Sequence, residues 1–172
     1  MFFSLTDEWN VLASVAGGES PDTEGVCTTI SRIMRVDRGG IGILKVRGLT
    51  LEFVYPFELR SAGRIPLSSP AVAARTATTK KSELFNNFAK TSHNSVFELV
   101  PLDGAAKNVG DPQHIQKLMS SPVIGSSGRV LGVVQVLRKG PNPDDAGPDF
   151  TEADLQTLEK VALHLETILA AL

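Results

Sequence analysis

Cysteine is scarce: Cys27 is the only one in 172 residues. A lone thiol cannot form an internal disulfide or run a two-cysteine redox cycle, so disulfide-stabilised folds and dithiol enzymes are excluded. A chain without disulfides suits a reducing compartment. The N-terminus, MFFSLTDEWN, also lacks the basic start and long apolar stretch of a signal peptide. Together these absences predict a cytoplasmic protein.

Long apolar runs and charge of one sign are missing as well. No stretch approaches the roughly 18 apolar residues that a membrane-spanning helix needs, so we expect no membrane partner. Seventeen basic and nineteen acidic residues leave a formal charge of −2. A nucleic-acid-binding domain usually carries a basic face, and we therefore expect no nucleic-acid partner.

Residues with the spacing of a catalytic or metal site are not found either. No cluster of His, Cys and carboxylates has metal-ligand spacing, and no G-x-S-x-G nucleophile motif occurs. The Gly125–Gly128 segment has glycine at both ends like part of a phosphate loop, but no lysine or helix follows it, so we interpret it as a hairpin turn. The sequence predicts no catalytic residue and no metal ligand, and it leaves any cofactor unknown.

Two amphipathic helices are predicted at the start of the chain, over residues 6–16 and 21–35. Thr6 is the expected N-cap of the first helix, and Pro21 is expected at the first position of the second, where its missing N–H costs nothing. Apolar residues recur at three- and four-residue spacing in both. Cys27 lies on the apolar stripe of the second helix and is expected to be a small core residue.

Alternating apolar and polar residues predict strands in the middle of the chain. The expected strands are about 40–47, 49–56, 82–88, 114–124 and 129–138. A loop or edge strand is expected around 57–67 and a short alanine-rich helix over about 71–78, whereas residues 89–112 give no clear pattern.

Two of these strands carry a more specific expectation. Leu49, Leu51, Phe53 and Tyr55 alternate with other residues and are expected on one face of the sheet. Gly132, within an apolar strand, is expected where another element or a ligand comes close.

A long final helix is predicted over residues 151–171. Thr151 and Asp154 form an approximate capping box at its start. Leucines and one alanine recur at 3-4-3-4-3 spacing, the pattern of a helix–helix seam. We expect this helix to pack on the domain body, with an outer edge that joins a second copy in a homodimer. A purely intramolecular amphipathic helix is the alternative. The predicted dimer residues are Leu158, Leu165, Leu169 and Leu172.

The order of these elements favours the α+β class, with a single domain over residues 1–172. Strands are joined mostly by hairpins rather than by regular crossover helices, which argues for an antiparallel sheet covered by helices.

The last third of the chain resembles the GAF domain family. Residues 122–124 and 128–136, PVI and GRVLGVVQV, are similar to the closing hairpin of the family, and the segment 150–158, FTEADLQTL, is similar to its capped terminal helix. Upstream, residues 64–67 and 69–73 resemble the strand and helix beside its pocket. The resemblance spans roughly residues 6–172. It implies about six antiparallel strands, with N- and C-terminal helices on one face and short helices and loops over a pocket on the other.

A small-molecule pocket is thus implied by the resemblance, and aromatic and polar residues near it are candidate ligand contacts. For each candidate, a core or loop role is the alternative. A cyclic-nucleotide signature is only fragmentary around 86–90, and Cys27 does not suit bilin attachment, so the ligand stays open. The candidates are Phe53, Tyr55, Asn86, Phe88, His93 and Phe97.

The resemblance implies a non-enzymatic sensory or regulatory domain. It would bind a small molecule, transmit a signal through dimerisation, or do both, with a signalling partner in trans. One alternative is a ligand-free dimerisation or interaction scaffold. A small enzyme, either a hydrolase or similar to the methionine sulfoxide reductases of the family, is a further alternative, although reductase activity needs more than one cysteine.

Overall fold

A computed structural model describes residues 4–17, 22–61, 63–88 and 114–172. The helices are α1 (Leu5–Ala16), α2 (Thr23–Met34), α3 (Val72–Thr79), α4 (Glu152–Leu163) and α5 (Glu166–Ala171). The strands are β1 (Ile41–Arg47), β2 (Thr50–Tyr55), β3 (Arg64–Pro66), β4 (Glu83–Phe85), β5 (His114–Ile124) and β6 (Val130–Gly140).

The six strands form one antiparallel sheet in the order β3-β2-β1-β6-β5-β4. The long hairpin of β5 and β6 pairs from His114 and Gly140 to Ile124 and Val130. β6 then pairs with β1, so the first and last hairpins meet at the centre of the sheet. The predicted α+β class and six-stranded antiparallel sheet are confirmed.

Helices from both ends of the chain cover one face of this sheet. Their core joins Leu12 of α1, Ile30 of α2, Leu158 of α4 and Leu169 of α5 to sheet residues such as Met119, all fully buried. Removing so much apolar surface from water is the main force that holds the helices on the sheet. The predicted helical layer is therefore present.

The opposite face, called the α3 face below, carries the shorter helix α3. Its apolar residues form a separate core cluster, so the sheet divides two hydrophobic layers. Alanines on α3 let the helix lie close to β5 and β6. The α3 face comprises Leu44, Leu51, Phe53, Ile115, Leu118, Val133 and Leu137 of the sheet and Val72, Ala73 and Ala77 of α3.

The N-cap of helix α1 lies two residues before the predicted one. The backbone N–H of Asp7 donates to the Ser4 hydroxyl at 3.2 Å, and the Ser4 N–H donates to the Asp7 carboxylate at 3.0 Å. This reciprocal capping box satisfies two N–H groups that the helix leaves unpaired. The cap is therefore Ser4, and the assignment of Thr6 was wrong.

Helix α2 is capped by Asp22, whose carboxylate accepts the N–H of Gly25 at 3.0 Å. It begins at Thr23 rather than at residue 21, and Pro21 lies outside the described residues. The helix ends where Arg35 adopts the left-handed conformation, with φ of 55°.

The predicted continuous helix over 151–171 is wrong, because the chain turns between α4 and α5. The N–H of His164 donates to the Val161 carbonyl at 3.0 Å, and the N–H of Leu165 donates to the Ala162 carbonyl at 3.1 Å. Such i→i−3 bonds tighten the last turn and end a helix. The expected capping box at Thr151 and Asp154 is confirmed.

The predicted strand over 82–88 is shorter than expected. Only Glu83–Phe85 pairs, with Leu118–Ser120 of β5. The chain leaves the sheet at Asn86, whose side chain bonds to the main chain of Phe150 instead.

The predicted close approach of another element at Gly132 is confirmed. A Cβ at this position would collide with the Leu44 carbonyl oxygen of β1 and would lie 2.8 Å from Leu169 Cδ1 of α5. The missing side chain lets β1 and α5 approach β6 at the same place.

Candidate functional site

A chain of buried polar side chains crosses the otherwise apolar α3 face. The Gln135 side-chain amide donates to the Ser120 hydroxyl at 3.2 Å, and the Ser120 and Thr76 hydroxyl oxygens are 2.8 Å apart. The Thr76 hydroxyl donates to the Val72 carbonyl at 2.9 Å. Since each hydroxyl has one proton, Ser120 must donate to Thr76. The bonds therefore run in one direction, from β6 through β5 into α3.

This direction leaves one acceptor of Gln135 unused. Its Nε2 donates to Ser120, and within the described residues its Oε1 accepts no hydrogen bond. The residue is 6% exposed and Oε1 retains some accessible surface. An acceptor that keeps accessible surface can bind water in the free protein and can exchange that water for a ligand group. Gln135 Oε1 can therefore accept an N–H or O–H from a ligand on this face.

Two predicted ligand residues lie on the same face. Phe53 of β2 and Phe88, just beyond β4, are both 7% exposed and belong to the α3-face cluster. The Phe88 ring makes an edge contact with Phe85, with centroids 6.0 Å apart. These rings supply the apolar surface that binding pockets usually provide around a few polar groups.

Tyr55 is not on the α3 face. The pairing of β1 with β2 shifts between Ile43 and Leu44, which breaks the two-residue alternation. Tyr55 consequently packs into the helix-side core, whereas Phe53 does not. The expectation that these two residues share one face was wrong.

Asn86 lies near the expected site but its amide is already engaged. Its Nδ2 donates to the Phe150 carbonyl at 3.0 Å, and its Oδ1 accepts the Phe150 N–H at 2.8 Å. Phe150 is itself buried beneath the Arg138 guanidinium, 4.3 Å from the ring centroid. Asn86 thus links the residue that follows β4 to the start of α4, and its amide is not available to a ligand.

The other two predicted ligand residues, His93 and Phe97, lie outside the described residues. The ligand role of Phe53 and Phe88 stays a prediction.

The predicted dimer residues are mostly enclosed by their own chain. Leu158, Leu165 and Leu169 are 0% exposed and belong to the helix-side core. As placed, they offer no surface to a second copy. Leu172 is 40% exposed, and Leu163, which the leucine spacing omitted, is 76% exposed.

Gln135, Ser120 and Thr76 were missed as site residues by the sequence reasoning. The available signal was a glutamine inside the apolar run VLGVVQVL, because a buried amide needs polar partners. The identity of those partners could not be read, since Thr76 and Ser120 are distant from Gln135 in sequence.

The lone thiol lies on the other side of the sheet. Cys27 is fully buried in the helix-side core, and desolvation by burial raises the pKa of its thiol well above the ordinary value. The nucleophilic form of cysteine is the thiolate. Burial therefore suppresses the reactivity of Cys27 and keeps it apart from the α3 face.

The described ranges contain neither a metal-binding cluster nor a membrane-spanning helix. No group of three or more His, Cys, Asp or Glu residues in them is arranged to hold a metal ion. No helix in the same ranges is long and apolar enough to cross a membrane.

Comparison with known families gives one match that covers most of the chain. The model of the GAF domain family matches residues 24–169. No curated protein is similar enough in sequence to count as a relative.

Solved structures share this fold at low sequence identity. The GAF domain of an Acinetobacter phosphoenolpyruvate-protein phosphotransferase is 15% identical, with a TM-score of 0.66 over 99% of this chain and 95% of its own. A GAF domain of A. Aeolicus in an inactive state is 16% identical, with a TM-score of 0.60 over 94% and 93%. The free methionine-R-sulfoxide reductase from Neisseria meningitidis, in complex with its substrate, is 16% identical, with a TM-score of 0.58 over 99% and 93%.

Proposed function

Since the chain belongs to the GAF domain family, we propose that it is a non-enzymatic regulatory module that binds a small organic molecule on the α3 face. The observation that carries this proposal is the unused acceptor of Gln135 within an apolar surface. The ligand class follows from that surface. It is a molecule with an aromatic or aliphatic face and an N–H or O–H group directed at Gln135.

The solved structures are consistent with this use of the fold. One relative, the reductase from Neisseria meningitidis, was determined in complex with its substrate. A fold of this kind can therefore accommodate a small molecule, although fold alone does not assign the ligand. The proposed location is the cytoplasm, because the chain carries a single unpaired cysteine.

Reductase chemistry is the enzyme alternative that the structural relatives raise. It requires a reactive thiolate and a second thiol to complete the cycle. Cys27 is the only cysteine, is fully buried and lies across the sheet from the α3 face. These facts favour binding over sulfoxide reduction.

A thermal-shift screen tests the proposal with nucleotides, haem, bilins and small metabolites as probes. A ligand that binds only the folded state raises the melting temperature as its concentration rises above Kd. We expect at least one probe to stabilise the wild type, and the stabilisation to be lost in Gln135→Met, which removes the acceptor while keeping the side-chain length.

The matched control is Gln156→Met, on the exposed side of α4, which should respond like the wild type. Equal stabilisation of both variants would locate the ligand away from Gln135. Silence of the wild type across the whole panel would favour the ligand-free scaffold.

A further inference from the structure

Four strands meet at one level of the sheet, in a row that contains Gln135. Gln135 of β6 pairs with Gly42 of β1 on one side and with Ser120 of β5 on the other. Ser120 in turn pairs with Glu83 of β4. Directly paired residues of antiparallel strands have their side chains on the same face. The row therefore crosses the α3 face, and Gly42 is the member without a side chain.

Helix α3 lies over the part of this row that belongs to β4 and β5. The Thr76 hydroxyl is hydrogen-bonded to Ser120, and the Arg75 guanidinium donates to the Glu83 carboxylate at 2.8 Å. The helix packs on β5 and β6. Gln135 thus lies between the part of the row under α3 and the part that belongs to β1.

The acceptor of Gln135 is turned away from β5. The oxygen and the nitrogen of an amide point in different directions, and Nε2 of Gln135 is held on Ser120. On the side away from β5, the next strand is β1. The residue of β1 at this level is Gly42, which places no side chain beside the acceptor.

Gly42 is a buried position of a central strand. Ile41 and Ile43 belong to the helix-side core, so alternation places position 42 on the α3 face. Side chains stand roughly perpendicular to a sheet, and a Cβ at Gly42 would occupy the first layer above the main chain. Glycine inside a strand often marks a place where a ligand comes close. We call the layer above Gly42, beside Gln135, the Gly42 slot.

Apolar side chains border the Gly42 slot at the next level of the sheet. There Leu44 of β1 pairs with Phe53 of β2 and with Val133 of β6, and all three belong to the α3-face cluster. Successive levels on one face are about 7 Å apart, which is twice the rise of a strand residue. A ligand that places a small polar group in the slot therefore has its body within reach of Phe53.

We propose that Gly42 is a specificity-determining residue of the ligand site, and that its slot takes a carboxamide or the N–H edge of a planar ring. Such a group is flat, so it rests on the main chain at van der Waals contact, about 3.5–4 Å. It directs its N–H at Gln135 Oε1, while an attached apolar body packs on Phe53. This assignment rests on the proposed function, since Gly42 borders the same acceptor.

Benzamide tests the Gly42 slot, because it is a carboxamide on an aromatic ring. N,N-dimethylbenzamide is the matched control compound, since it keeps the ring and the carbonyl but has no N–H. In NMR titrations of the isotope-labelled full chain, benzamide should shift the main-chain amide of Gly42 and the side-chain amide of Gln135. The dimethyl compound should bind about tenfold more weakly, because it cannot donate a hydrogen bond to the acceptor.

Gly42→Ala tests the slot from the side of the protein. The added methyl group fills the layer beside Gln135, so benzamide should bind about tenfold more weakly or worse. Without a ligand, the variant should melt at or above the wild-type temperature, because alanine restricts the unfolded chain more than glycine does. The matched control is Gly125→Ala between β5 and β6, where the nearest atoms to an added Cβ are 3.4 Å away; it should bind benzamide like the wild type.

Several results would overturn the assignment. A Gly42→Ala protein that melts clearly lower without ligand would show that the glycine serves packing within the chain. Unchanged benzamide binding by this variant, or equal binding of the two compounds, would place the carboxamide away from the slot.

The failure of the slot is distinguishable from the failure of the proposed function. If neither benzamide binds while another probe stabilises the wild type through Gln135, the slot is wrong and the proposed function stands. If no probe binds the wild type, both are wrong.

Discussion

At the scale of single residues, two side-chain amides show how differently the same group is used. Asn86 satisfies both its amide atoms on the main chain of Phe150, at 3.0 and 2.8 Å. Gln135 uses only its donor, on Ser120. A fully paired amide rigidifies the structure, whereas a partly paired amide keeps an acceptor that a ligand can use. Asn86 is thus a structural residue and Gln135 a candidate for recognition.

Replacing Asn86 by Ala should destabilise the protein by about 1–3 kcal/mol, because the main-chain N–H and carbonyl of Phe150, just before α4, each lose a hydrogen-bond partner. Urea unfolding followed by circular dichroism would measure this. The control is Asn142→Ala, whose amide bonds only to the exposed Asp145 in a surface loop, and which should cost much less. Equal losses of stability in the two variants would contradict the role of Asn86 in holding the start of α4 next to the end of β4.

At the scale of elements, the end of the chain divides its leucines between two environments. The turn between α4 and α5 directs Leu165 and Leu169 into the helix-side core. Leu163, just before the turn, points outward and is 76% exposed. The 3-4-3-4-3 spacing treats residues 151–171 as one continuous helix without this turn. It therefore predicted Leu165 and Leu169 at a dimer surface and omitted Leu163.

A charge at Leu165 should therefore unfold the domain rather than yield a folded monomer. Leu165→Glu is expected to cost about 4 kcal/mol or more, since it buries an unpaired carboxylate among apolar side chains. Thermal melts and light scattering would show a lost transition or aggregation. A folded, monomeric Leu165→Glu protein would mean that this leucine faces a partner after all.

At the scale of the whole molecule, Gly132 is the point where β1 and α5 both pack closely against β6. Gly132→Ala would set a methyl group against the Leu44 carbonyl and the Leu169 side chain. Because backbone cannot yield as a flexible side chain can, we expect a loss of about 1–3 kcal/mol.

Guanidinium unfolding would measure the loss against Gly125→Ala, where the nearest atoms are 3.4 Å away on the Leu131 side chain. The control should lose clearly less stability. If the two variants were equally stable, the close approach at Gly132 would not limit the packing of β1 and α5.

Most helices and strands and their bounds could be predicted from the sequence, because alternation and helical periodicity record which face of each element is buried. The arrangement of six strands with different helices on the two faces was implied by the resemblance to the GAF domain family. Features that depend on contacts between distant segments could not be predicted. Tyr55 lies on the other face of the sheet from Phe53 because the pairing of β2 with β1 shifts by one residue. The two-residue alternation of the sequence cannot predict such a shift. The partners of Gln135 come from α3 and β5, and nothing near Gln135 in the sequence indicates them.

The pairing of β1 with β6 also determines the order in which the chain can fold. Ile41 pairs with Val136 and Lys45 with Gly132, so the centre of the sheet joins an early segment to a late one. On the ribosome, the hairpin of β1 and β2 must wait with one edge unpaired until residue 140 has emerged, because non-local strand pairing closes a long loop first. During that interval the exposed edge of β1 is open to chaperones and to aggregation.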